Sequence, residues 1–122
     1  MVTVLNFGHI LSIDALRALE EKCGAVDVRD IRVHLDMKAP LAPQVEAVVA
    51  GVELTPAEWT TRPILVVLPG MMIAASIVLA AICGRRGTFP SVIHLNRGDD
   101  GVFRLGEVID LAEVRSTARL AR

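Results

Sequence analysis

One stretch constrains this chain more than any other: Pro63–Gly84, PILVVLPGMMIAASIVLAAICG, which contains no charged residue. About 20 consecutive apolar residues suffice to cross a bilayer, so a transmembrane helix is one reading. Arg85 and Arg86 would then flank it on the cytoplasmic side. The other reading divides the stretch into a buried strand, a tight turn and a buried helix, the centre of an α/β unit. The second is preferred. Proline lacks a backbone N–H, and Pro69-Gly70 falls in the middle of the run as a strong breaker. Ile64–Leu68 before it is a continuous β-branched and aliphatic run of the kind parallel strands show when buried on both faces. The Ala-rich segment Met71–Cys83 after it is a good helix former, with Gly84 as its expected stop.

The rest of the chain supplies elements to pack around this centre. Val2–Asn6 reads as a short strand ending in the polar turn Asn6-Phe7-Gly8-His9. Ser12 is placed to cap a helix running to about Lys22, with Gly24 closing it. Asp27–Asp36 alternates, with Ile31, Val33 and Leu35 on one side and Arg32 and His34 on the other, and predicts an edge strand. Pro43 suits the first turn of a helix over Gln44–Val52. Thr55-Pro56-Ala57-Glu58 is a capping box that starts a single turn carrying Trp59, read as a core-covering residue. Phe89–Asn96 predicts a fourth strand, and the turn-rich Asn96–Gly101 joins it to Val102–Val108 as a hairpin. Asp110 caps a last helix. Helices alternating with strands predict a mostly parallel, three-layer sheet with a C-terminal antiparallel strand: one Rossmann-like domain over residues 1–122.

Composition narrows the function. With 13 basic and 14 acidic residues, the formal charge of −1 argues against a broad surface for duplex nucleic acid. Apolar residues make up 52% of the chain, enough for a real core and against disorder. Cys23 and Cys83 show no metal-ligand spacing and read as structural thiols of a reducing compartment. No basic, apolar leader opens the sequence, so the expected location is the cytoplasm. The predicted helix Met71–Cys83 is apolar all round, and a domain this small can cover only one of its sides. A homodimer, open to higher assembly, is therefore expected.

In open α/β sheets, ligands bind beyond the carboxyl ends of the strands, where strand order reverses. Those ends are Asn6, Phe7, Gly8 and His9; Asp36 and Lys38; Pro69, Gly70, Met71 and Met72; and Asn96 and Arg97. Gly70 would let a ligand approach the backbone, and the free N–H groups of the next helical turn could hold a phosphate. A bare turn is the plain alternative. His9 is the candidate for proton chemistry, against a role in helix entry alone. His34 and His94 sit within predicted strands and read as half-exposed. The dinucleotide fingerprint, the phosphate-binding loop lysine and the GxSxG elbow are absent, and no cofactor is expected.

The opening VLNFGH with Ser12, the central LPGMMIAASIVLAAICGRRGTFP and the strand VIHL resemble a family of small accessory proteins of type III CRISPR loci, the Csx-group family numbered fifteen. The similarity spans essentially the whole chain. It implies a CARF-like homodimer that handles cyclic oligoadenylate, with cyclic tetra-adenylate lying across the dimer axis. Matched by position, Asn6, Gly8, His9, Gly70, Met71 and Met72 would line that pocket. A small hydroxyl residue often occupies the second position after the glycine in that pattern. Met72 stands there, which removes a hydroxyl–phosphate contact. Phe7 and Pro69 lie in the same two loops, and Lys38 and Arg97 come from the loop argument alone. The pocket could sequester the messenger, or orient a ribose 2′-OH for metal-free ring cleavage with His9 or Lys38 assisting. The chain has no tyrosine and no paired acid and base, so any cleavage is expected to be slow. A scaffold subunit without a small ligand is the alternative.

Overall fold

Consecutive residues of three strands divide between two buried clusters. Val4, Leu65 and Ile93 belong to one, and their neighbours Leu5, Val66 and Val92 to the other. That is the period-two alternation of strands covered on both faces. The computed structural model describes residues 1–122. Its elements are β1 (Val2–Asn6), α1 (Ile13–Cys23), β2 (Val26–Asp30), α2 (Leu41–Ala50), α3 (Pro56–Thr61), β3 (Ile64–Val67), α4 (Met72–Arg86), β4 (Ser91–Arg97), β5 (Phe103–Asp110) and α5 (Leu111–Arg119). They build a five-stranded sheet in the order β2-β1-β3-β4-β5, parallel except for β5. This is the α/β, Rossmann-like architecture the sequence predicts.

α1 lies on one face, with Leu19 packed on Val4, Leu65, Val67 and Ile93. The opposite face carries α2, α3 and α4, whose Val45, Val49, Trp59, Ala74, Val78 and Ile82 close over Leu5, Ile64 and Val66. All four residues of β3 are buried. The uncharged central stretch is thus split at Pro69-Gly70, and no helix is long and apolar enough to cross a membrane. Three predicted caps form: Ser12 Oγ accepts from Ala15 N, Thr55 and Glu58 complete their capping box, and Asp110 accepts from Ala112 N and Glu113 N.

Four boundaries differ from expectation, each for a tertiary reason. The second strand ends at Asp30, not Asp36. β1 is its only partner and finishes at Asn6, so after a last bond from Ile31 N to Asn6 O the residues Ile31, Val33 and Leu35 pack on the helical layer without a ladder. Asp36 and Lys38 consequently leave the carboxyl edge for a turn in which Lys38 N donates to Asp36 Oδ1. The helix after it runs over Leu41–Ala50 rather than Gln44–Val52. Pro43 falls inside its first turn, and the Gln44 side chain takes up Asp36 N, Asp36 O and Pro40 O instead. α4 passes through Gly84 and stops at Gly87, whose φ of 81° is the left-handed closing position. Arg85 holds Glu46 of α2, and Arg86 donates to the carbonyls of Trp59 and Arg62, which fastens that extra turn. Both arginines thus tie the end of α4 to its neighbours in the helical layer.

Buried Ala74, Val78 and Ile82 give α4 one inward stripe. Its outward stripe, Met72, Ser76, Ala80 and Gly84, is exposed and uncharged in the single chain.

Candidate functional site

Strand order reverses between β1 and β3, because the chain leaves β1 toward β2 on one side and continues to β3 and β4 on the other. The carboxyl ends of those two strands bring Asn6–His9 and Leu68–Met71 together. Asn6 is 1% exposed, and its side chain is fully occupied in shaping the first loop. Its Nδ2 donates to His9 O and Asp30 Oδ1, both at 2.9 Å, and its Oδ1 accepts from Gly8 N at 3.0 Å. Both amide hydrogens are engaged within the protein, so Asn6 acts on any ligand through the loop it holds.

Gly8 is required by closeness. A Cβ there would lie 3.1 Å from Leu68 O and 3.2 Å from Val67 Cγ1, so a side chain would push the two loops apart. Gly70 faces open space, with nothing within 4 Å of the corresponding position. Beyond it, Met71 occupies the N-cap of α4 in an extended conformation and supplies no side-chain cap. The N–H groups of the first turn of α4 are therefore left without a side-chain acceptor. Met72, at that turn, is 84% exposed.

Gly8, His9 and Gly70 form a ridge with a cleft on each side. The first cleft, about 490 Å³, runs between the end of β3 and the β4–β5 hairpin, with Leu68, Ile93, Leu95 and Phe103 among its walls. The second, about 480 Å³, lies over Phe7, Ile31, Arg32, Met37 and Met71. Phe7 is buried at the base of the latter. The exposed His9 ring stacks on Phe103 at 6.4 Å, and the Arg97 guanidinium lies 5.8 Å from the same ring. Ser12 Oγ donates to Phe103 O at 2.7 Å while capping α1, which ties the hairpin to the helix start.

Of the residues singled out in the sequence, Phe7, Gly8, His9, Pro69, Gly70 and Met71 line the clefts, and Asn6 braces them. Met72 stands at the rim. Arg97 reaches the site through Phe103, whereas Lys38 lines neither cleft. Phe103, His94, Leu95 and Arg32 belong to the site without having been singled out for binding. The hairpin's curl toward α1 brings the first three there, and it follows from strand register rather than from a local motif. No three His, Cys, Asp or Glu side chains converge as a metal-holding group.

The electrostatics around the site are mild. At the hairpin tip Arg104 pairs with Asp100 at 2.8 Å and lies 3.6 Å from Asp14 at the start of α1. The guanidinium and the Val102 N–H hold the Asp100 carboxyl down to about 2. Comparison with protein-family models, curated proteins and solved structures finds no match to this chain.

Proposed function

We propose that this protein binds a nucleotide-class anion along the Gly8–Gly70 ridge, and that the ligand is cyclic tetra-adenylate held between two copies of the chain. The observation that carries the reading is the ridge itself, two glycine loops at the point of strand reversal, beside a helix start with unclaimed N–H groups. Such groups, with the positive end of the helix dipole, suit a phosphate. Two clefts flanking one ridge suit a ligand with separate base and phosphate parts. The identity of the ligand comes from the family resemblance of the loops and the central stretch.

The dimer is supported by the distribution of exposed apolar residues. Ile10 (84%), Ile13 (69%), Met37 (61%), Met72 (84%) and Ile73 (52%) all belong to segments that begin or end at the carboxyl edge. An exposed apolar rim of this kind suits an interface. A ring with repeated nucleotides would then meet one ridge from each subunit. The protein's first action is sequestration, lowering the free messenger and damping type III CRISPR signalling. Ring cleavage is an extension in which His9 is the only titratable side chain on the ridge.

Labelled cyclic tetra-adenylate incubated with micromolar protein tests the reading. A mobility shift lost in Gly8→Ala is expected, and no shift with the native protein sinks the proposal. Linear di-adenylate in the same reaction would make the protein a ring nuclease; recovery of intact ring would leave it a sponge. The same apolar rim also fits a scaffold that assembles without a ligand. That reading predicts an oligomer whose size and stability ignore the messenger, which sedimentation with and without it would reveal.

A further inference from the structure

α5 is the element least accounted for by the fold of a single chain. It is nine residues long, and none of them is buried. Leu111, at its start, is its only residue packed against either core cluster. Val114 is 54% exposed, and Leu120, just past the helix end, 87%. A helix this short is marginal in water and depends on what packs against it. Beside it runs a groove of about 620 Å³ shared with β5, lined by Val108, Ile109 and Val114 and by three carboxylates, Glu107, Asp110 and Glu113, with no cation. The other side of the helix is basic. At about 100° per residue, Arg115 and Arg119 come round about 160° and about 120° from Glu113. They stand four residues apart, so two like charges lie side by side on one exposed strip. None of these five charged groups forms an ion pair within the chain. Acid at a helix start and base at its end complement the helix dipole, which explains their order along α5. It does not explain their division between two faces, nor Glu107, which lies on β5 outside the helix.

We infer that α5 joins copies of this chain head to tail, the arginine strip of one copy lying over the acidic groove of the next. The occupant is a second copy because the chain itself presents the matching surface. The groove lacks a cation and the strip lacks an anion, and each supplies the charge the other is missing. A helix is about 10–12 Å across, so the groove takes the side chains of a helix laid over its mouth rather than the helix itself. Arginine brings an apolar stem as well as a charge, and that stem covers Ile109 and Val114. The two surfaces differ, and they lie on different sides of one helix. The contact is therefore heterologous, and a docked copy still offers its own groove to another. Asp110 pairs with Ser91 where β4 begins, so α5 starts at the amino edge of the sheet, away from the Gly8–Gly70 ridge. The contact goes beyond the ligand reading and does not require it.

The experiment is sedimentation of the intact chain, without nucleotide, over a range of protein and salt concentrations. The native chain is expected to rise past the mass of two copies as its concentration increases. High salt should take the assembly apart, because exposed charges are screened. Glu113→Arg and Arg119→Glu are each expected to weaken association about tenfold. Mixed in equal amounts, the two variants should associate again, since one keeps an intact arginine strip and the other an intact groove. Should Glu113→Arg fray the helix, which circular dichroism would show, Glu107→Arg lies on β5 and carries the same expectation with the α5 sequence untouched. A native chain that stays a single copy, or an assembly that neither variant weakens, overturns the inference. So does an assembly that stops at two copies, as a self-matched contact would. A mixture that associates no better than its two components overturns it as well.

Discussion

β3 has two neighbours, and it is joined to them unequally. Against β1 it keeps four consecutive pairs, from Thr3–Ile64 to Asn6–Val67. Against β4 it keeps two. The β1 seam is also sealed above the sheet, because Asn6 locks the following loop and Gly8 lets that loop sit against Leu68 O. The β4 seam opens instead into a cleft, and the strand that leaves it becomes half of a hairpin with an exposed tip. One side of the central strand is therefore paired along its whole length, while the other parts from its neighbour beyond Val66. A protein can hold a ligand in such a fissure without loosening its core, because the closed seam keeps β3 in place.

The largest way to break this contrast is to cut into the closed side. Leu5 is fully buried in the larger core cluster, and Leu5→Ala is expected to cost about 3 kcal/mol of unfolding free energy. Leu95 on the open side is half-buried, and Leu95→Ala is expected to cost about 1 kcal/mol, since partly exposed methylenes lose less on removal. Urea denaturation of both variants checks the pair; equal losses would mean that the two seams do not differ in stability. Asn6→Ala comes next. It deletes three hydrogen bonds from a buried amide, leaving Asp30 solvated but Gly8 N–H and His9 O without their partner, for about 2 kcal/mol. Faster amide exchange at Gly8 should accompany the loss.

The glycines sharpen the same comparison with smaller effects. Gly8→Ala forces a Cβ against Leu68 O and Val67 Cγ1, and strain of that size in a packed contact is expected to cost about 1 to 2 kcal/mol. Gly70→Ala meets open space and is expected to leave stability within about 0.5 kcal/mol of the native chain. Thermal unfolding of the two variants decides it. A Gly70→Ala protein as unstable as Gly8→Ala would show that the ridge is a structural turn and nothing more.

Much of this was legible in the sequence, and the parts that were not share a cause. Ser12, Thr55 and Asp110 announced their helices because a cap is a local event between residues three apart. Pro69-Gly70 announced the break between strand and helix for the same reason. The end of β2 was hidden because Ile31, Val33 and Leu35 alternate just as a paired strand does; only the length of β1 decides that they have no partner. Gly84 and Gly87 are equivalent in sequence, and the choice between them is made by Glu46, Trp59 and Arg62 on other elements. The site divides in the same way. Gly8, His9 and Gly70 lie in loops that any strand-order argument would find. Phe103 and Leu95 enter it through the pairing of β5 with β4 beyond the point where β4 leaves β3, which is a property of the folded sheet.

The smallest expected effect concerns the hairpin that leaves the open seam. Its tip is held by Asp100, which accepts from Val102 N at 3.0 Å and from Arg104 at 2.8 Å and 3.1 Å. The Arg104 hydrogen bond first, and the Val102 N–H second, hold the carboxyl at about 2 against an ordinary value of 3.8. A depressed carboxyl stabilises the folded form above its unfolded value and loses that contribution as pH falls through its folded value. The tip should therefore loosen between about pH 4 and pH 2, while the β1–β3 seam, which holds no titrating side chain in its paired residues, should not. The pair is solvent-exposed, so salt should screen it and move the midpoint back toward 3.8. An amide titration reading Val102 against Val66 measures the hairpin tip and the central strand in one sample. A Val102 midpoint near 3.8 at low salt would mean that the carboxylate does not hold the tip, and that the hairpin keeps its curl toward α1 through Ser12 and Phe103 alone.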